Sequence, residues 1–252
     1  MLRLILECHS EISCFDEMQS YRVLSAREHE GEITGQLVGF KIPRFAEQLD
    51  HPQPYDYGLT ETPARFYRGQ KVLFMVRDLR DTVASMLKLR GNKSWLEDWA
   101  VPILRHKAGQ EIEFAQRWRK ELALCEKSMS LAAFGALYWA YKNEALLRYV
   151  QQRYAVLPIS YESLVTSPRA ELGRVCRWLG VDFQEALLDH PQQAHGELYE
   201  SGLAVGGTDP KRRIDVASIG QWRAWLNPAD ERLASEIAGP IENQIAPLLA
   251  TR

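Results

Sequence analysis

The sequence predicts an α/β fold in which a parallel sheet is covered by helices on both faces. Two observations support this class. Short runs rich in β-forming residues alternate with longer segments of helical period along the chain. In addition, residues 72–76 are continuously apolar, which is typical of a central strand buried on both faces.

The first part of the chain contains two short predicted strands. Residues 2–8 are expected to form a helix, and residues 12–17 a short extended segment. Residues 37–49 are predicted to run from a strand into a helix, with Pro43 near the first helical turn, where its missing N–H is tolerated.

The clearest strand-to-helix pattern follows at residues 71–89. After the apolar run, Asp78 and Asp81 suit the start of a helix, because carboxylates accept hydrogen bonds from its free N–H groups and favour its dipole. The apolar stripe behind them is formed by Val83, Ala84 and Leu87.

The second half of the chain is mostly helical. Residues 95–153 are predicted to be nearly all helical, and residues 155–164 predict a second short strand that leaves into a loop. Pro168 and Gly180 stand at the expected start and end of a further helix. A C-terminal helix over residues 230–250 is expected to be interrupted at Pro240.

Composition excludes several classes of function. At 252 residues without a shift in composition, the chain is expected to form one domain, residues 1–252. A net charge of -2 gives no global basic field for nucleic acid or an acidic membrane. No stretch has the length of a membrane span, and the short apolar run at the N-terminus does not suit a signal peptide. Four cysteines without C-x-x-C spacing argue against a zinc site or a disulfide framework and predict a reduced, cytoplasmic enzyme. Cys8 and Cys14 are close enough in sequence to pair, but we expect them to be ordinary buried thiols.

Arg77 is the first candidate for ligand binding. It follows the predicted strand at its carboxyl end, where open α/β sheets bind ligands, and a guanidinium can bind a phosphate with two parallel hydrogen bonds. Ser85, two turns into the helix, adds a hydroxyl donor. The alternative is that Arg77 merely pairs with Asp81, and spacing alone leaves both interpretations open.

Residues 76–85, VRDLRDTVAS, resemble the 3′-phosphate-binding motif of the sulfotransferases that use 3′-phosphoadenosine 5′-phosphosulfate (PAPS). The resemblance implies that Arg77 and Ser85 hold the 3′-phosphate, and that the fold is the three-layer parallel sheet related to P-loop nucleotide kinases. Residues 161–183 and 213–227 resemble two further segments of the family in the same order. They add Tyr161, Lys211 and Arg213 as cofactor-binding candidates, although the basic run at 211–213 also fits a solvated turn.

The resemblance also implies two catalytic residues. LVGFKIPRF resembles a family segment whose lysine, here Lys41, faces the reacting groups and would stabilise charge on the bridging oxygen. Pro43 stands where cytosolic members carry a catalytic histidine. LRLILECHSEISCFDE resembles the opening segment of protein-tyrosine and related sulfotransferases, in which a glutamate, here Glu17, takes the acceptor proton. A surface glutamate is the alternative.

One family element is expected to be missing. A loop of the type Pro-Arg-Ser-Gly-Thr-Thr and the strand before it would precede residue 1, and that loop normally cradles the 5′-phosphosulfate. Either the start of the sequence is assigned too late, or the fold lacks its first strand and this loop. We expect the 252-residue chain as written to be poorly stable and to have little or no transferase activity for this reason.

The predicted reaction is transfer of a sulfuryl group from PAPS to a hydroxyl of a carbohydrate, lipid, small molecule or tyrosyl acceptor. Trp95, Trp99 and Trp118 suit either stacking on such an acceptor or core packing. A truncated, non-catalytic protein that binds nucleotide or a partner is the alternative. A nucleotide kinase would need a G-x-x-x-x-G-K-[ST] motif, which the sequence lacks.

Overall fold

A computed structural model describes residues 1–15, 20, 37–40, 70–90, 93–192 and 212–250. The chain divides into two compact units, residues 1–72 with 163–215 and residues 73–162 with 216–252. The single domain expected from composition stays a prediction.

The described helices and strands follow one another as the α/β class requires. The helices are α1 (Leu2–Leu6), α2 (Leu79–Leu87), α3 (Val101–Gln110), α4 (Ile112–Arg117), α5 (Arg119–Ser128), α6 (Leu131–Gln151), α7 (Tyr161–Thr166), α8 (Pro168–Leu179) and α9 (Pro228–Ala250). The strands are β1 (Ile12–Phe15), β2 (Leu37–Phe40), β3 (Lys71–Val76), β4 (Leu89–Arg90), β5 (Lys93–Ser94) and β6 (Ala155–Ser160). The structure also contains a π-helical turn (Leu96–Ala100) and two 3-10 segments (Glu185–Gln192 and Gln221–Ala224) within the described residues.

In the first unit, β1 and β2 pair in parallel, and Ile12 lies opposite Leu37. The rings of Phe15 and Phe40, at the other end of the pair, stack with centroids 5.3 Å apart. Helix α8 ends at Gly180, which takes the left-handed conformation at φ 88°, as expected for a C-terminal glycine.

In the second unit, β3 lies beside β6, and α6 is the central helix. α6 contacts α2, α9 and β6, so it links the strand ends to the C-terminal helix. The buried side of α6 consists mostly of alanine, leucine and aromatic side chains, and Leu137 and Leu146 are completely buried. Val83 and Ala84 of α2 are buried as predicted.

Two predictions of secondary structure were wrong. Residues 161–166 form α7 rather than a loop. The C-terminal helix is continuous through Pro240, although proline removes a helical hydrogen bond. Ile237, Ile241 and Ile245 on this helix are buried, and burial of each apolar side chain contributes roughly 1.5–3 kcal/mol, which offsets the cost of the proline.

All four cysteines are free thiols. Burial raises the pKa of Cys8 to about 11 and that of Cys14 to about 12, so both thiols are protonated at neutral pH. Cys125 and Cys176 are buried, whereas Cys8 and Cys14, which were predicted to be buried, are half-buried. Within the described residues, no group of three or more metal-ligating side chains comes together, and no helix is long and apolar enough to cross a membrane.

Gly135 allows α2 to approach α6 closely. A Cβ atom on it would lie 3.2 Å from Cγ1 of Val83 and 3.3 Å from the Cδ atoms of Leu96. We expect Gly135→Val to lower the free energy of unfolding by about 1–3 kcal/mol through overpacking. In the control Gly173→Ala in α8, the new Cβ meets nothing within 4 Å, and stability should rise by ~0.5–1 kcal/mol. Urea unfolding measures both, and stabilisation by Gly135→Val would contradict this packing.

Asp78 caps the N-terminus of α2. Its Oδ1 accepts a hydrogen bond from the N–H of Asp81 at 2.9 Å. Asp78→Ala should therefore destabilise the protein by about 1 kcal/mol, whereas Asp78→Asn, which keeps the acceptor, should change stability by only a few tenths. Equal losses in the two variants, measured by urea unfolding, would show that charge rather than capping matters here.

Candidate functional site

The candidate site lies at the carboxyl end of β3, in the second unit. The strand ends at Val76, and α2 begins at Leu79, so only Arg77 and Asp78 separate them. Asp78 is extended (ψ 134°) and caps the helix, which turns the chain sharply after Arg77. The backbone thus places Arg77 at the end of the sheet, where ligands bind in open α/β folds.

Three contacts fix Arg77. Its Nη2 donates to the carbonyl oxygen of Ser218 at 2.8 Å. Its guanidinium carbon lies 4.9 Å from the ring centroid of Tyr161, a cation–π geometry. Trp139 on α6 donates its indole N–H to the carbonyl oxygen of Arg77 at 2.9 Å. Side chain and backbone of Arg77 are therefore both held in place.

One donor of this guanidinium is unused. Nε of Arg77 is buried and has no hydrogen-bond partner within the described part of the chain. A buried donor without a partner costs about 1–3 kcal/mol. An anion bound at Arg77 would offset this cost.

Glu162 joins the ends of the two neighbouring strands. Its Oε1 accepts from the backbone N–H of Asp78 at 2.9 Å, and its Oε2 accepts from the hydroxyl of Ser160 at 2.9 Å. This carboxylate therefore braces the turn after β3 from the end of β6.

Asp81 is a buried carboxylate that accepts from two backbone N–H groups. It is 2% exposed, and its oxygens accept from Gly220 at 2.7 Å and from Trp222 at 3.0 Å. The alternative interpretation, in which Arg77 pairs with Asp81, is therefore wrong: Asp81 bonds to these amides, and Arg77 bonds to Ser218.

Two further cations of the α2 region contact the same segment, residues 216–225, which we call the return segment. Arg80 lies over the ring of Trp222 at 4.6 Å and pairs with Glu231 at 3.2 Å. Burial opposes its charge, but neighbouring carboxylates raise the pKa of Arg80 above its ordinary value. Lys88 donates to the side-chain oxygen of Gln221 at 2.5 Å.

The structure brings together two of the predicted site residues, Arg77 and Tyr161. Ser85 is exposed on α2, and within the described residues no hydrogen bond joins it to Arg77. Arg213 is exposed and belongs to the first unit. The remaining predicted residues lie outside the described ones: Glu17, Lys41 and Lys211.

The three tryptophans that suited either an acceptor pocket or the core differ in exposure. Trp118 is almost completely buried, with the guanidinium of Arg117 over its ring. Trp95 packs edge-on against Tyr138, and Trp99 is 36% exposed. Trp118 is thus a core residue, whereas Trp99 is partly exposed.

Sequence reasoning missed the roles of Asp81, Glu162 and Trp139. Each contacts a backbone group far along the chain, which leaves no local pattern. Only the position of Glu162 at the end of a predicted strand offered a signal, because polar residues at strand ends often face the ligand side of a sheet.

Comparison with known proteins gives a consistent result. A family model described as "Sulfotransferase domain" matches residues 42–196, more than half of the chain. A putative protein-tyrosine sulfotransferase of Caenorhabditis elegans is 22% identical over 72% of this chain, and the chain spans 59% of the length of that relative. A second protein of that name, from Caenorhabditis briggsae, is 18% identical over 88% of this chain and 75% of its own length.

The solved sulfotransferase domain from the curacin biosynthetic pathway has a similar fold. The structural match covers 93% of this chain and 91% of that domain, with a TM-score of 0.55 and 16% sequence identity. The predicted α/β sulfotransferase fold is confirmed. Because the family model covers most of the chain, including the strand-to-helix turn at Arg77, the protein belongs to the sulfotransferase family.

Proposed function

We propose that this sulfotransferase uses PAPS as the donor and transfers its sulfuryl group to an acceptor hydroxyl. The main support for this proposal is Arg77. Its guanidinium is fixed at a strand end, and its buried Nε has no protein hydrogen-bond partner in the described region.

The 3′-phosphate of the donor fits this site chemically. A phosphate group offers several acceptor oxygens, and a guanidinium binds two of them through parallel N–H groups. The contact with Tyr161 leaves the guanidinium charged while holding its plane. Arg77 would therefore orient the nucleotide through a group that does not react.

Other predicted residues complete the proposed donor site. Ser85 would donate its exposed hydroxyl to the same phosphate. Arg213, which is also exposed, and Lys211 would add positive charge to it. These assignments follow from the sequence motifs.

The proposed reaction is an in-line displacement. The acceptor oxygen attacks sulfur, the bond between sulfur and the bridging oxygen breaks, and adenosine 3′,5′-bisphosphate leaves. Glu17 accepts the hydroxyl proton as general base. Lys41 stabilises the negative charge that develops on the bridging oxygen. The mechanism invokes no metal.

Tyrosyl hydroxyls are the first acceptor class to test, because both curated relatives described above are named as putative protein-tyrosine sulfotransferases. Carbohydrate, lipid and small-molecule hydroxyls are the comparison classes. We place the reaction in the cytoplasm, as the cysteine pattern suggests.

The direct experiment incubates the protein with radiolabelled PAPS and a panel of tyrosyl, sugar, lipid and phenolic acceptors. Label on an acceptor oxygen, together with release of adenosine 3′,5′-bisphosphate, would support the proposal. Nucleotide binding without turnover would instead favour the non-catalytic alternative. Absence of both binding and transfer would contradict the proposal.

Replacement of Arg77 tests the 3′-phosphate site. Arg77→Ala should weaken the binding of adenosine 3′,5′-bisphosphate at least tenfold, about 1.4 kcal/mol, because the phosphate loses its charged donors. Adenosine 5′-phosphate should bind the variant and the parent protein alike. Calorimetry measures both affinities.

Arg169→Ala is a matched control for this measurement. Arg169 is an exposed arginine of the first unit that pairs with Glu185, and its removal should leave both affinities unchanged. If Arg77→Ala binds the bisphosphate as tightly as this control does, the assignment of Arg77 is wrong.

A further inference from the structure

We propose that Asp81 is a positioning residue for the 3′-phosphate site, because it holds the return segment in the place from which Ser218 orients Arg77. This inference rests on the function proposed above. It assigns to Asp81 no contact with the nucleotide.

Both carboxylate oxygens of Asp81 accept hydrogen bonds from the backbone, one from the N–H of Gly220 and the other from the N–H of Trp222. Hydrogen bonds to an ionised acceptor are shorter and stronger than neutral ones, and burial protects them from competition by water. The contact is therefore a firm attachment between α2 and the return segment.

The return segment needs such an attachment because it contains little regular structure. Its residues 216–220 form neither helix nor strand, and the 3-10 turn Gln221–Ala224 begins after Gly220, which has no side chain with which to cap it. Asp81 supplies this cap from another part of the chain, by accepting from N–H groups at the start of the turn.

Attachment at Gly220 determines where Ser218 lies. Ser218 is two residues before Gly220, and its carbonyl oxygen accepts from Nη2 of Arg77. Arg77 and Asp81 are four residues apart, on either side of the α2 N-terminus. A short closed loop of contacts therefore runs from Arg77 through Ser218, Gly220 and Asp81 back to Arg77, and it sets the plane of the guanidinium.

Asp81→Asn is the decisive variant. An asparagine retains one oxygen acceptor but turns an NH₂ donor toward a backbone N–H, so one of the two attachments is lost. If Asp81 acts by positioning, the affinity of Asp81→Asn for adenosine 3′,5′-bisphosphate should fall at least tenfold, while its affinity for adenosine 5′-phosphate should be unchanged. A role through charge alone predicts the opposite, since removal of a negative charge near a phosphate tightens binding.

A second variant perturbs the same turn and leaves Asp81 intact. Gly220 has φ 75°, a left-handed conformation that residues with a side chain rarely adopt, whereas the nearest atom to an added Cβ is Nη1 of the flexible Arg223 side chain. Because Ala is strained at this φ, Gly220→Ala should shift the turn and produce the same selective loss of bisphosphate affinity. The matched control is Asp230→Asn, which alters a carboxylate that bonds to Ser130 and Asn227, and it should leave both affinities unchanged.

Calorimetry on the parent protein and these variants separates the outcomes. The inference is supported if Asp81→Asn and Gly220→Ala each lose discrimination between the two nucleotides. It is overturned if either folded variant keeps the discrimination of the parent protein, and Gly220→Ala decides alone if Asp81→Asn does not fold. If the parent protein shows no preference for the bisphosphate, the proposed function itself fails.

Discussion

The turn from β3 into α2 is the constraint on which the site depends. Asp78 caps the helix through the N–H of Asp81, and Glu162 accepts the N–H of Asp78 from the end of β6. With no further residues between strand and helix, the backbone direction at Arg77 is set by these two carboxylates. The indole N–H of Trp139 on α6 then fixes the Arg77 carbonyl, so the packing of the second unit determines the backbone position from which the Arg77 side chain extends.

Electrostatics at this turn favour an anion although carboxylates surround it. Asp78, Asp81 and Glu162 each accept hydrogen bonds from backbone N–H groups, which occupies oxygens that would otherwise compete for Arg77. In the part of the chain that the structure describes, the Arg77 guanidinium contacts a carbonyl oxygen and an aromatic ring. Its charge is therefore oriented but not neutralised, which is the condition that phosphate binding requires.

Local pattern was sufficient to predict the strands and helices around Arg77, because an apolar run and a helical period are visible within twenty residues. The assignment of both Arg77 and Tyr161 to the cofactor site followed only from the family resemblance, and their contact was not predicted, since they are 84 positions apart in the chain. The partners of Asp81 lie more than 130 residues away and are backbone groups, which carry no side-chain signal. Tertiary packing likewise explains why α9 continues through Pro240, where the local rule predicted a break.

A crystal structure of the protein with adenosine 3′,5′-bisphosphate would show whether Arg77 holds the 3′-phosphate of the donor nucleotide. A 3′-phosphate oxygen should lie about 2.7–3.2 Å from a guanidinium nitrogen of Arg77, with the ring of Tyr161 still beneath the cation. A bisphosphate whose 3′-phosphate binds elsewhere, while Arg77 contacts only Ser218 and Tyr161, would contradict this assignment.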